Sequence, residues 1–203
     1  MSGKRAPARI GVMGGTFDPI HYGHLAAAQE ACVALGLSRV LFVPAGEPVH
    51  KPPRQVTAAL QRWEMVLLAT ADHPLFFPSR VELDRPGPSY TVDTITLLRS
   101  QHPQAEWFFI TGADALLEIR TWKEPHRLAQ LCTIVAVTRP GYDSRLLEQH
   151  VDPTLLERIL TLKVPGVAVS ASEIRARLHQ GLPARYLTPD VVLGYISKHG
   201  LYR

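Results

Sequence analysis

Short apolar runs alternate with stretches of helical periodicity along most of the chain. Arg9–Met13 (RIGVM) reads as a buried strand. The pattern after it turns helical, beginning near Tyr22 or Gly23 and stopping at Gly36. Arg39–Ala45 predicts a second strand and Thr57–Ala71 a second helix. Leu75–Leu83 reads as extended and broken by Pro78, Tyr90–Gln101 as helical, and Glu106–Gly112 (EWFFITG) as another buried strand. Ala113–Ile119 and Glu124–Gln130 read as short helices, and Cys132–Gly141 as a strand ending in a turn. Ser144–Thr161 reads as a broken helix, Val167–Gly181 as a strand changing to a helix, and Thr188–Gly200 as a last helix.

Repeated strand-then-helix order predicts a parallel sheet with crossover helices. The runs WFFI and TIVAV are apolar on both faces, as strands covered on both sides must be. The expected fold class is therefore α/β: a Rossmann-like, doubly wound parallel sheet with a small C-terminal helical part, about residues 170–203, in one domain spanning 1–203. Ligands of such sheets lie beyond the carboxyl ends of the strands, and each motif below is expected at such an end.

The 203 residues suffice for a sizeable core, and 20% charged content is ordinary for a globular chain. The net charge of +4 favours anionic partners. No dense Lys/Arg tract is present, so small polyanions such as nucleotides explain the bias as well as nucleic acid does. The two cysteines, Cys32 and Cys132, form no CxxC and imply no disulfide framework, which fits a reducing, cytoplasmic setting. No apolar stretch approaches the ~20 residues of a membrane span, and the basic start MSGKRAPARI lacks the apolar run of a signal peptide.

Chemistry concentrates in two places. In Gly14–His24 (GGTFDPIHYGH), Gly14 and Gly15 let a ligand approach the backbone, and Asp18-Pro19 marks a turn. His21 and His24, three apart at a helix start, place both rings near one face. A helix N-terminus with its free N–H groups suits phosphate. The same pair suits a metal only with a third ligand, and no neighbouring Cys, Asp or Glu supplies an obvious one. A plain turn with two surface histidines is the remaining reading. In Val169–Arg175 (VSASEIR), Ser170 and Glu173 match a capping box, while Ser172 and Arg175 put a hydroxyl and a guanidinium on one face, a phosphate-gripping pair.

Together these motifs resemble the HxGH and ISSTxIR signatures of the nucleotidyltransferase α/β-phosphodiesterase superfamily. Within it the chain is similar to the bacterial nicotinate-nucleotide adenylyltransferases, through VPAGEPVHKPP, RPGPSYTVDTI, TGADALLEIRTWKEP, VTRPGY and YISKHGLYR, from about residue 9 to the end. Two departures are mild: Pro48-Val49-His50-Lys51 stands where PPHK is frequent, and Ser172 where Thr is common.

The resemblance implies transfer of AMP from ATP to nicotinate mononucleotide, with Mg2+ carried by ATP and no nucleic-acid or membrane partner. It places His21, His24, Arg139, Ser172 and Arg175 on the ATP phosphates and Lys51 within reach of phosphate. Gly14, Gly15, Thr16 and Phe17 would line the junction of the two substrates, and Gly112 and Asp114 would meet ribose and adjoining nucleotide groups. It stacks the pyridine ring on Trp122 and gives the ring's carboxylate to Thr91 and to main-chain N–H groups near Thr91 and Lys123. It makes His21, His24, Lys51 and Arg175 the catalytic set. Read without the resemblance, Trp122 is a packing residue and Thr91 a helix cap. Rival readings are an adenylyltransferase using nicotinamide mononucleotide or phosphopantetheine, and a non-catalytic RNA-binding module.

Overall fold

The computed structural model describes residues 6–49, 56–139, 141–143, 145–165 and 168–203. Its main sheet is built from β1 (Arg9–Gly15), β2 (Arg39–Pro44), β4 (Phe76–Pro78), β6 (Glu106–Gly112), β7 (Thr133–Thr138) and β8 (Ile159–Lys163). The spatial order is β4-β2-β1-β6-β7-β8, and every pairing is parallel. A two-residue ladder joins β3 (Glu47–Pro48) to β5 (Pro88–Ser89). The chain starts in the middle of the sheet, winds outward through β2 and β4, then returns to β6 and winds the other way. The strand order reverses between β1 and β6, and the connections leaving those two strands diverge there, opening a crevice at their carboxyl ends.

The strands alternate side chains between two covered faces. Met13, Phe108, Ile110 and Val135 pack under α1 (Tyr22–Leu35), α2 (Ala59–Thr70) and α9 (Asp190–His199). Ile10, Val12, Trp107, Phe109, Ile134 and Ala136 pack under α3 (Thr91–Gln101), α5 (Pro125–Leu131), α6 (Arg145–His150) and α7 (Pro153–Leu156). Burial of each large apolar side chain contributes about 1.5–3 kcal/mol, so the two faces supply most of the drive to fold. The thiols Cys32 and Cys132 sit in opposite layers, free and buried, and the sheet between them rules out pairing.

The predicted elements recur with four corrections. The α1 helix ends at Gly36, whose φ of 57° and N–H bond to the Cys32 carbonyl make it a left-handed cap, as its position predicts. The sixth strand, however, is Ile159–Lys163, overlapping the end of the segment expected to be broken helix. Only one neighbour, β7, pairs with it, and its side chains are half-buried or exposed, so it lacks the continuous apolar signature of β6 and β7. No strand lies among the described residues just before Ser170; α8 (Ala171–His179) follows a loop instead. The extended run at Leu75–Leu83 stops at Pro78, and Val81–Asp84 is a turn. Ala113–Ile119 divides into α4 (Ala113–Leu116) and a 3-10 turn at Ile119–Thr121.

Candidate functional site

Two cavities open at the β1/β6 crevice. The larger, about 490 Å3, is walled by Gly14 at the end of β1, His21, Gly23 and His24 at the start of α1, Thr111 and Gly112 at the end of β6, Arg139 after β7, and Ser170, Ser172 and Arg175 around the start of α8. Its described lining offers two imidazoles, two guanidinia and two serine hydroxyls, and no carboxylate. The smaller, about 180 Å3, is walled by Gly14, Gly15, Thr16, Glu82, Ser89, Thr91, Thr94, Phe109, Thr111 and Trp122. Gly14 and Thr111 belong to both, so the cavities adjoin across the crevice. A wider, shallow depression at the amino ends of β6–β8, lined by Glu106, Trp107, Thr133 and Ile159 among others, contains none of the motif residues.

The first motif bends sharply between strand and helix. Phe17 takes φ 50°, an uncommon conformation for a side-chain-bearing residue, and is fully buried. Its ring packs edge-on to His24 at 4.9 Å. The rings of His21 and His24 stack at 3.7 Å. The backbone N–H of His21 donates to Nδ1 of His24 at 3.2 Å. A neutral His24 therefore carries its proton on Nε2, as a donor at the N-terminal end of α1.

His21 is 6% exposed, and its Nδ1 meets no hydrogen-bond partner among the described residues. Burial, aided by the nearby Arg139 guanidinium, lowers its pKa to about 4. Between pH 6.5 and pH 4 the unfolded chain binds a proton that the folded chain refuses. Stability is therefore present above this window and falls by up to about 3 kcal/mol as pH drops through it. Urea midpoints measured from pH 7 to pH 4.5 are expected to fall less steeply in His21→Gln than in the parent. Parallel curves would show that His21 is not the group responsible.

The second motif caps and faces the cavity at once. Ser170 accepts the Glu173 N–H at 3.2 Å, which leaves Ser172 and Arg175 on the cavity wall. The Ser172 hydroxyl lies 3.1 Å from that of Ser170. Glycine at position 23 is what lets the two motifs meet: a Cβ there would come within 3.0 Å of His21 Nδ1 and 3.2 Å of the Val169 methyl. On the other side, Tyr90 rather than Thr91 is the cap residue of α3. Thr91 is the first residue of the helix and lines the smaller cavity with Trp122, whose ring stands edge-on to Phe109 at 6.0 Å. The Lys123 ammonium is held by Asp93 at 2.9 Å. Asp114, exposed in α4, is not among the residues lining either cavity, nor is the Phe17 ring. Lys51 and the rest of 50–55 lie outside the described residues.

The cytidylyltransferase-like family model matches residues 12–177, from β1 through α8. A Thermus thermophilus protein named "Probable nicotinate-nucleotide adenylyltransferase" is 54% identical over 96% of this chain and 100% of its own length. A Moorella thermoacetica protein of the same name is 48% identical over 97% of this chain and 93% of its own. The chain belongs to the nicotinate-nucleotide adenylyltransferase family. Plasmodium falciparum nicotinic acid mononucleotide adenylyltransferase complexed with NaAD has the same fold, with a TM-score of 0.78 at 19% identity, over 96% of this chain and 97% of that one.

Three further groups in this member of the nicotinate-nucleotide adenylyltransferase family were given no role by the sequence motifs. Arg62 of α2 is 1% exposed and donates to four carbonyls: Thr57 at 2.8 Å, Thr16 at 2.8 Å, Ala45 at 2.6 Å and Gly46 at 3.3 Å. It thereby ties the exit of β1 to the exit of β2. Its signal is an arginine on the apolar stripe with Met65, Val66 and Ala69. Glu82, buried in the wall of the smaller cavity, accepts from the Thr94 hydroxyl at 2.6 Å, and burial raises its pKa. Tyr202 donates to the Asp18 carboxylate at 2.5 Å.

Proposed function

We propose that this chain joins nicotinate mononucleotide to the AMP part of ATP, giving nicotinate adenine dinucleotide and pyrophosphate. The observation that carries this reading is the pair of adjoining cavities, one walled by cations and hydroxyls and the other by Thr91 and Trp122. The names of the curated relatives agree with it. So does the pairing of the shared fold with NaAD in one Plasmodium falciparum complex and with APC in another.

The triphosphate would occupy the larger cavity, between His21, His24 and Arg139 on one side and Ser172 and Arg175 on the other. The nucleophile is already a phosphate oxyanion on the mononucleotide, so no strong general base is required. It attacks the α-phosphorus in line, and pyrophosphate leaves. The protein's part is to hold two polyanions together and to neutralise charge growing on the leaving oxygen. His24 would donate from Nε2–H, and Arg175 would hold the departing phosphates. Mg2+ would enter as part of the ATP substrate. Among the described residues no three His, Cys, Asp or Glu side chains gather as metal ligands. Gly112, on the wall of the larger cavity, would lie beside ribose, and Lys51 would reach phosphate.

The pyridine ring would stack on Trp122, its carboxylate meeting Thr91 and nearby N–H donors. An amide in that place would set its NH2 against donors and leave them unpaired, which favours the acid. Trp122→Ala is expected to raise the Michaelis constant for the mononucleotide about tenfold or more while leaving that for ATP within about twofold, since ring stacking contributes on the order of 1–3 kcal/mol. An unchanged constant would reduce Trp122 to a packing residue. The deciding experiment mixes ATP and Mg2+ with nicotinate or nicotinamide mononucleotide and follows pyrophosphate. Faster release with the acid is the expected result. Equal or faster release with the amide overturns the substrate assignment, and no release with either overturns the activity.

A further inference from the structure

Asp18 is 2% exposed, yet it is bonded on three sides. One carboxylate oxygen accepts the Tyr202 phenol at 2.5 Å, and the other accepts the Thr57 N–H at 3.3 Å. Its main-chain carbonyl accepts Nη1 of Arg175 at 2.7 Å. The corner at Asp18 is therefore the point on which the cavity's arginine rests. Tyr202 reaches it because α9 ends in a left-handed turn: Gly200 has φ 63° and Tyr202 φ 61°, which folds the last residues back onto the first motif. Other C-terminal residues hold the same short segment. The Thr188 hydroxyl donates to the Ile20 carbonyl at 2.7 Å, and the Leu187 carbonyl accepts the Tyr22 N–H at 3.1 Å.

We propose that Tyr202 is a positioning residue for the triphosphate: by holding the Asp18 carboxylate it fixes the carbonyl that aims Arg175 across the larger cavity. The proposal rests on the phosphate-binding reading of Arg175. Burial and the adjacent Asp18 carboxylate raise the pKa of the phenol, which keeps it protonated and donating at every working pH. Arg175 has several N–H groups; one is spent on Asp18, which leaves the others for a ligand. Without the phenol the corner would keep its fold but lose one of its three ties, and the guanidinium would lose its fixed bearing.

The test is a double-mutant cycle read by calorimetric binding of ATP without mononucleotide, using the parent, Tyr202→Phe, Arg175→Ala and the double variant. Tyr202→Phe keeps the ring and removes only the hydroxyl. It is expected to weaken ATP binding about tenfold, the lower end of what loss of a supporting bond costs at a metal site. In the Arg175→Ala background the same change should alter binding less than about twofold, because its effect passes through Arg175. Equal losses in both backgrounds, or none in either, overturn the proposal. If Tyr202→Phe melts early, Asp18→Asn reads the same coupling, since it keeps the carbonyl and weakens the phenol's acceptor. Failure of the parent to release pyrophosphate with either mononucleotide would overturn the proposed reaction alone, and the cycle would still decide the role of Tyr202.

Discussion

His24→Ala is expected to lower turnover by about two to four orders of magnitude, the cost of losing one preorganised donor at a developing charge. The expectation comes from how firmly the ring is set. Its Nδ1 is committed to the His21 N–H, one face stacks on His21, and Phe17 packs edge-on against it. With Nδ1 so engaged, a neutral ring carries its proton on Nε2, and the packing restrains the ring from turning. They also put the ring in the first turn of α1, where the helix dipole favours the same anion. His24→Gln, whose amide N–H extends about as far as Nε2, should retain more activity than the alanine variant. The check is the maximal rate of pyrophosphate release, with melting temperature as control. A folded alanine variant turning over at the parent rate would remove His24 from the chemistry.

Arg62→Met is expected to cost about 3–5 kcal/mol of folding stability, measured as a shift in urea midpoint at constant slope. Methionine fills a similar space but leaves the half-buried carbonyls of Thr16, Thr57 and Ala45 without their donor. Burial lowers the pKa of Arg62, and the nearby Asp18 carboxylate acts against that shift. A loss of this size approaches the whole stability of a marginal domain, about 5–15 kcal/mol. Arg62→Lys should recover only part of it, because an ammonium cannot span both strand exits as a planar fork does. A midpoint within about 0.5 kcal/mol of the parent for methionine would show that the clamp carries no net stability.

Strands with two covered faces announced themselves as continuous apolar runs, and β1, β6 and β7 lie where those runs predicted. The edge strand β8 did not, because ILTLK faces solvent enough to carry a mixed pattern, and the helical periodicity before it ran on through it. The segment before α8 departs from expectation for the related reason that Ala168 and Val169 are apolar without being paired in a sheet. The site divided in the same way. His21, His24, Ser172 and Arg175 were legible because their spacing at helix starts is local chemistry, and all four line one cavity. Phe17 and Asp114 stood in the same motifs but project elsewhere: one ring is buried in the core, and one carboxylate is exposed on α4.

What the residue pattern determined alone was the parallel α/β order, the helix starts and stops, and the residue types gathered at each motif. These depend on periodicity and capping within a few residues of each other. Only the tertiary structure decided that residues 14–24 and 169–175 share one cavity, that Gly23 allows Val169 to press against the start of α1, and that Arg62 from α2 and Tyr202 from the turn after α9 brace the corner. Such contacts form when separate elements bury their faces on a common sheet, and no local window of sequence contains both partners.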